Sequence, residues 1–106
     1  MALTKAFNET VKARIAKSAG YRRALLKEAV EAMISGDLDT GKSVLRKYIN
    51  GTIGFVKLGE DLRRSPKALM RMFSATGNPQ ARNLFEIVAY LQKVEGAVLK
   101  VVDRAA

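Results

Sequence analysis

The feature that most limits the fold is an apolar pattern broken in two by Ser65 and Pro66. Phe55, Leu58 and Leu62 recur three and four residues apart, and Leu69, Met72 and Phe73 resume the pattern after the break. A serine oxygen can accept a backbone N–H left over at a helix start, and proline's fixed φ suits the first helical turn. A second short helix is therefore predicted to begin at this pair. Gly77, Asn78 and Pro79 stop it. Two short helices so closely joined must cross steeply and share one small core. With Leu69, Met72 and Phe73 turned inward, Lys67, Ala68, Met70, Arg71 and Ser74 are left facing solvent or a partner.

Charge gives that outer face a direction. From Leu62 to Phe85 the chain carries Arg63, Arg64, Lys67, Arg71 and Arg82 and no acidic residue. Such an interval is the signature of a surface that meets phosphates. The whole chain is basic, with net charge +9 and a pI near 10.2. That excess favours an anionic partner without choosing among nucleic acid, an acidic membrane and an acidic protein. The acid-free interval tips the choice toward nucleic acid.

The flanks read as helices. Leu3, Phe7, Val11 and Ile15 mark one over about residues 4–17, expected to end at Gly20. Leu25, Leu26, Ala29, Val30, Met33 and Ile34 mark a second, closed by Gly36. A third, capped by Asp39 or Thr40, buries Val44, Leu45, Tyr48 and Ile49, with Gly51 after it. Pro79 is expected to open the last, which turns Leu84, Ile87, Val88 and Leu91 inward and runs to about Val94. Beyond Gly96, Val98, Leu99, Val101 and Val102 suit either an extended segment pairing across a dimer or a frayed tail. The predicted fold is all-α with five to six helices and a possible short C-terminal strand. It divides into an N-terminal helical pair (1–36), a core (37–95) and a tail or dimer strand (96–106).

Composition removes several classes. A 106-residue chain with 48% hydrophobic and 27% charged residues is one globular domain. No apolar window reaches the length of a bilayer helix, the first residues lack a signal-peptide pattern, and cysteine is absent; the expectation is a cytoplasmic protein without a membrane partner. Histidine is absent too, which removes the commonest general base and the usual zinc ligands. Glu28 and Glu31 share their helix with Arg22, Arg23 and Lys27 and read as a solvated ion-pair face. Glu60 with Asp61, and Asp37 with Asp39, lack metal-loop spacing. No catalytic residue, metal or cofactor is expected.

Leu58, Leu62, Ser65, Leu69 and Met72, then Asn78-Pro79 and the apolar run over residues 84–91, resemble the helix-turn-helix of the Xre or lambda-repressor class. The strings over 45–55, 65–73 and 77–85 are similar to something narrower, the bacterial addiction-module antidote proteins. These are HigA-type antitoxins that also repress their own operon. The resemblance implies a lambda-repressor-like core and a sequence-specific regulator of transcription that binds double-stranded operator DNA. Its second short helix would lie in the major groove, with Pro66, Lys67, Met70 and Arg71 toward base edges. Arg71 would be the bidentate reader of guanine, and Lys67 would reach guanine or a phosphate. Ser65, Ser74, Thr76, Asn78 and Arg82, with Thr52 and Gly54, would hold phosphates. Bland readings stand beside these: Met70 packing on a neighbouring helix, Asn78 shaping a turn, Arg63 and Arg64 merely solvated. A homodimer on a pseudo-palindrome is implied, with residues 94–102 and the helix around Tyr90 as the first choice of interface. The N-terminal pair would complete the core, aid dimerisation or contact a partner toxin, a small ribonuclease. A stand-alone regulator without a toxin, or a basic adaptor for acidic partners, would share much of this chemistry. Two positions depart from the pattern. Gly59 stands where a small residue, most often alanine, is usual, and Arg63 stands where the turn usually has glycine. Arg63 must therefore adopt left-handed backbone or the turn must be built differently.

Overall fold

The structure, a computed structural model, describes the backbone of residues 2–105 and the side chains of residues 9–105. Leu3 and Phe7 thus lie outside the described side chains. Six helices and no strand occur among the described residues: α1 (Ala2–Lys17), α2 (Ala19–Ile34), α3 (Leu38–Gly51), α4 (Gly54–Leu62), α5 (Pro66–Met72) and α6 (Ala81–Glu95). The fold is all-α. Ile15 of α1 and Leu25, Leu26 and Ala29 of α2 join Leu45, Ile49, Leu58, Leu69, Ile87 and Leu91 in one hydrophobic cluster. The N-terminal pair therefore shares its core with the helices that follow.

Side-chain caps set the starts of α2 and α3. Gly20 does not end α1; it is the second residue of α2. The break falls at Ser18, in extended backbone, whose hydroxyl accepts the N–H of Tyr21 at 3.1 Å. Likewise α3 is capped by Asp37, not Asp39 or Thr40: Thr40 donates its N–H to Oδ1 at 3.1 Å and its hydroxyl to Oδ2 at 2.7 Å. These bonds, the hydroxyl's first, hold the Asp37 carboxyl below the usual carboxylate range. Gly51 is the last residue of α3, where an added Cβ would stand 2.8 Å from the Ile15 side chain, so glycine lets α1 seat closely on α3. Helix α6 opens at Ala81 rather than Pro79, with Gln80 as its cap in extended backbone.

Three helices end in the same hydrogen-bonded motif. After α2, Asp37 N–H reaches Ala32 O and Gly36 N–H reaches Met33 O. After α6, Ala97 and Gly96 do the same to Gln92 and Lys93. After α4, Arg64 reaches Gly59 O at 2.9 Å and Arg63 reaches Glu60 O at 3.3 Å. The motif needs a left-handed residue. Gly36 and Gly96 supply it freely, and Arg63 supplies it at φ 57°, ψ 46°. The expected alternatives at Arg63 thus resolve to the left-handed backbone.

After α6 the described residues form no strand. Leu99 is half-buried against the core and its N–H donates to Gln92 Oε1 at 2.8 Å, while Val98, Val101 and Val102 are exposed.

The ends of α1 and α6 meet α2 and α3 at one buried carboxylate. Glu95, its side chain 6% exposed, accepts Arg22 Nε at 2.9 and 3.0 Å and the Tyr48 hydroxyl at 2.5 Å. Arg22 Nη1 also donates to Ile15 O at 2.9 Å and Ala16 O at 3.2 Å. Arg22→Ala leaves that carboxylate without its cation, so it should cost about 3 kcal/mol. Tyr48→Phe removes one hydrogen bond and should cost about 1 kcal/mol. Urea unfolding of both variants, read by circular dichroism, checks the order and the gap.

Candidate nucleic-acid interface

A seven-residue helix cannot hold itself together in water, so α5 needs support at each end and along one side. Ser65, at φ −63° and ψ 131°, accepts Ala68 N–H at 3.3 Å, and Pro66 occupies the first turn. Leu69 and Phe73 are buried, and the Phe73 ring lies 6.0 Å from that of Phe55 on α4. Gly59 on α4 has the turn against it: a Cβ there would sit 2.6 Å from Arg64 O. Alanine is therefore not equivalent at this position.

The far end of α5 is held by two cations from α3. Lys42, only 3% exposed, donates to Ser74 O at 3.0 Å and to Gly77 O at 2.6 Å. Arg46 Nη1 donates to Phe73 O at 3.2 Å. Carbonyls at a helix C-terminus lack intrahelical donors and carry partial negative charge, which suits both cations. Gly77 completes the turn; a Cβ there would come within 2.0 Å of Arg71 O. Sequence reasoning did not assign Lys42 this role. The signal was present, because a lysine at position 42 falls on the helical stripe of Leu38, Gly41, Leu45 and Ile49, where a solvated cation does not belong.

Helix α6 braces the other flank. Arg64 Nη2 donates to Asn83 Oδ1 at 2.9 Å and to Glu86 Oε2 at 3.2 Å, so this arginine is neither merely solvated nor free for a phosphate. The Tyr90 hydroxyl donates to Asp61 Oδ2, and Lys57 pairs with Asp61 at 3.1 Å. Those two partners, the tyrosine first, hold Asp61 below the usual carboxylate range, and the bond to Asp61 in turn raises the Tyr90 phenol.

Against this frame the expected contact residues fall into groups. Lys67, Met70 and Arg71 are exposed, Met70 at 49%, and Pro66 is half-buried. Met70 is thus not buried packing. Thr76, Asn78 and Arg82 are exposed as well. Ser65 keeps its hydroxyl proton, since its oxygen serves the cap as acceptor. Ser74 and Thr52 differ. Their hydroxyls donate to Arg71 O and Tyr48 O, each at 2.7 Å, and as placed they offer a phosphate lone pairs rather than a donor. Gly54 is half-buried at φ 76° and opens α4, whose cap residue Ile53 makes no side-chain hydrogen bond. Of the five cations in the acid-free interval, Arg64 is ion-paired; Arg63, Lys67, Arg71 and Arg82 form no ion pair among the described residues.

Among the described residues no helix is long and apolar enough to cross a membrane, and no carboxylates cluster as a metal site would require. No family model matches the chain, and no curated protein or solved structure matches it either.

Lys42→Met keeps the stem but strips the donor from Ser74 O and Gly77 O. It should destabilise by about 1–3 kcal/mol and speed amide exchange over residues 73–77 more than elsewhere, as hydrogen–deuterium exchange would show. Asp61 gives a pH test. A carboxyl with a depressed folded value contributes fully above about pH 4 and loses the contribution as pH falls through the folded value. The stability gap between the native chain and Asp61→Asn should accordingly hold above about pH 4 and narrow as pH falls below it, followed by urea midpoints.

Proposed function

We propose that this chain is a sequence-specific DNA-binding regulator of transcription that reads duplex DNA with α5. One observation carries the reading. Lys67, Met70 and Arg71 stand exposed on a helix whose other side, through Leu69 and Phe73, is sealed into the core. A rigid, short, outward-facing cationic helix fits the major groove, where an arginine fork matches guanine O6 and N7 and a methionine can meet a thymine methyl. Arg82, Thr76, Asn78 and the Ser65 hydroxyl serve as backbone contacts, with the uncapped start of α4 near Thr52 and Gly54 as a further phosphate seat. The cation count of the interval and the resemblance to the lambda-repressor class support this over a basic adaptor without sequence recognition.

A single short helix reads few base pairs, so the regulator acts as a homodimer on half-sites about one helical turn apart. Exposed apolar side chains on α6 and beyond it, Phe85, Val94, Val98, Val101 and Val102, suit a second copy. The narrower reading is an antitoxin that represses its own operon. It rests on the resemblance alone, and a neighbouring reading frame encoding a small ribonuclease would support it.

With an operator obtained by in vitro selection, Arg71→Ala should lose about 1–3 kcal/mol on that operator and little on random duplex. Equal loss on both would make Arg71 a phosphate contact. Arg82→Ala should weaken all duplexes alike and lower the slope of log affinity against log salt by about 1. Fluorescence anisotropy across a salt series reads both variants.

A further inference from the structure

A second basic surface lies between α1 and α3, sharing Arg46 with the support of α5. Between α1 and α3 a cleft of about 350 Å³ is lined by Val11, Lys12, Ile15, Arg46, Lys47, Asn50 and Gly51. Ile15 seals its base, half-buried Val11 and Gly51 give an apolar floor, and Lys12, Arg46, Lys47 and Asn50 rise around it, exposed. Among the described residues no acidic one lines the cleft. Lys12 and Lys47 form no ion pair among the described residues, and Arg46 spends one donor on Phe73 O.

We infer that this cleft docks an acidic amphipathic segment of a partner protein, one or two large apolar side chains flanked by carboxylates. The charge complementarity is one-sided, with cations and an amide on the rim and no counter-ion lining it among the described residues. The apolar floor selects the class of anion. A phosphodiester strand would satisfy the rim and leave Val11 and Gly51 facing water or sugar. A leucine or phenylalanine between carboxylates covers the floor and places its charges at the rim together. The volume is near the lower end of the roughly 300–1,000 Å³ of small-ligand pockets, which suits a side chain or two rather than a folded domain. Long lysine stems extend the apolar wall while their ammonium groups stay solvated until a carboxylate arrives. This inference is independent of the DNA reading of α5.

The probe is a fluorescein-labelled synthetic peptide of leucine and glutamate at helical spacing, with a control in which every leucine is serine at equal charge. Binding to the full chain is followed by anisotropy, and the site by amide chemical shifts. The leucine peptide should bind at least about ten-fold more tightly than the control and shift the amides of Lys12, Asn50 and Gly51. Lys12→Glu with Lys47→Glu should weaken it about ten-fold or more, whereas Lys67→Ala with Arg71→Ala should not. Both charge-reversed positions are exposed; the milder pair Lys12→Gln with Lys47→Gln, checked by circular dichroism, repeats the test should the reversal disturb folding. No binding of the leucine peptide, equal binding of the two peptides, or loss on the α5 pair would overturn the inference. Random duplex DNA that displaces the peptide and itself depends on Lys12 and Lys47 would reassign the cleft to nucleic acid. Operator binding by the Lys12/Lys47 variant, read separately, keeps this outcome distinct from the fate of the α5 reading.

Discussion

The fold depends on a carboxylate that is costly to bury. Glu95 ends α6, where the helix dipole is negative, so a second negative charge there is unfavourable before desolvation is counted. Arg22 offsets both. Its guanidinium holds the two carboxylate oxygens on one side and the last carbonyls of α1 on the other, so two negative helix ends and one anion converge on a single delocalised cation. Tyr48 supplies the remaining hydrogen bond from α3. Burial first, and then the bond to Glu95, push its phenol well above the ordinary tyrosine range, so it stays neutral and able to donate. Four helices thereby have one permitted arrangement at this point, with the apolar cluster beneath it.

That constraint reaches the outward-facing helix through α3. The same helix that holds Glu95 with Tyr48 holds the end of α5 with Lys42 and Arg46, within about two turns along its length. Helix α5 is too short to have a geometry of its own, so its direction is borrowed from α3 behind it, α4 beside it and the Arg64 brace to α6. A contact surface on such an element is as rigid as its supports. The N-terminal pair therefore matters to α5 through α3, because packing Ile15 on Gly51 and Arg22 on Glu95 fixes where α3 lies.

What the sequence made legible was periodic. Phe55, Leu58, Leu69, Leu84, Ile87, Val88 and Leu91 are buried where their spacing put them, because a helical stripe has few ways to meet a core. Boundaries were less evenly legible: Gly36 closes α2 and Ser65 and Pro66 open α5 as expected, whereas Ser18 and Asp37 cap α2 and α3 unforeseen and α6 opens after Gln80 with no side-chain cap. A residue's power to cap depends on backbone angles that the neighbouring packing decides. Arg64 and Lys42 escaped for another reason. Each bonds a partner across 19 to 35 residues of chain, and charge alone does not say whether a cation faces water or a carbonyl. At the tail, β-branched composition suggested a strand, but no sheet edge exists among the described residues for it to join.

Sorting the cations by occupation gives the +9 charge its meaning. Arg14 lies over the Tyr21 ring, Arg22, Lys57 and Arg64 pair with carboxylates, and Lys42 and Arg46 bind carbonyls of the chain. These are engaged in holding the fold. The exposed cations without such engagements include Arg63, Lys67, Arg71 and Arg82 in the acid-free interval and Lys12 and Lys47 at the α1–α3 cleft. Uncompensated like charges raise the energy of the compact state, and nothing in the packing is improved by them. An anion bound beside such charges would offset that cost by direct attraction and, were it a polyelectrolyte, by release of its counter-ions. The two sets meet at the α1–α3 cleft, where Arg46, tied to Phe73 O, stands beside the unpaired Lys12 and Lys47.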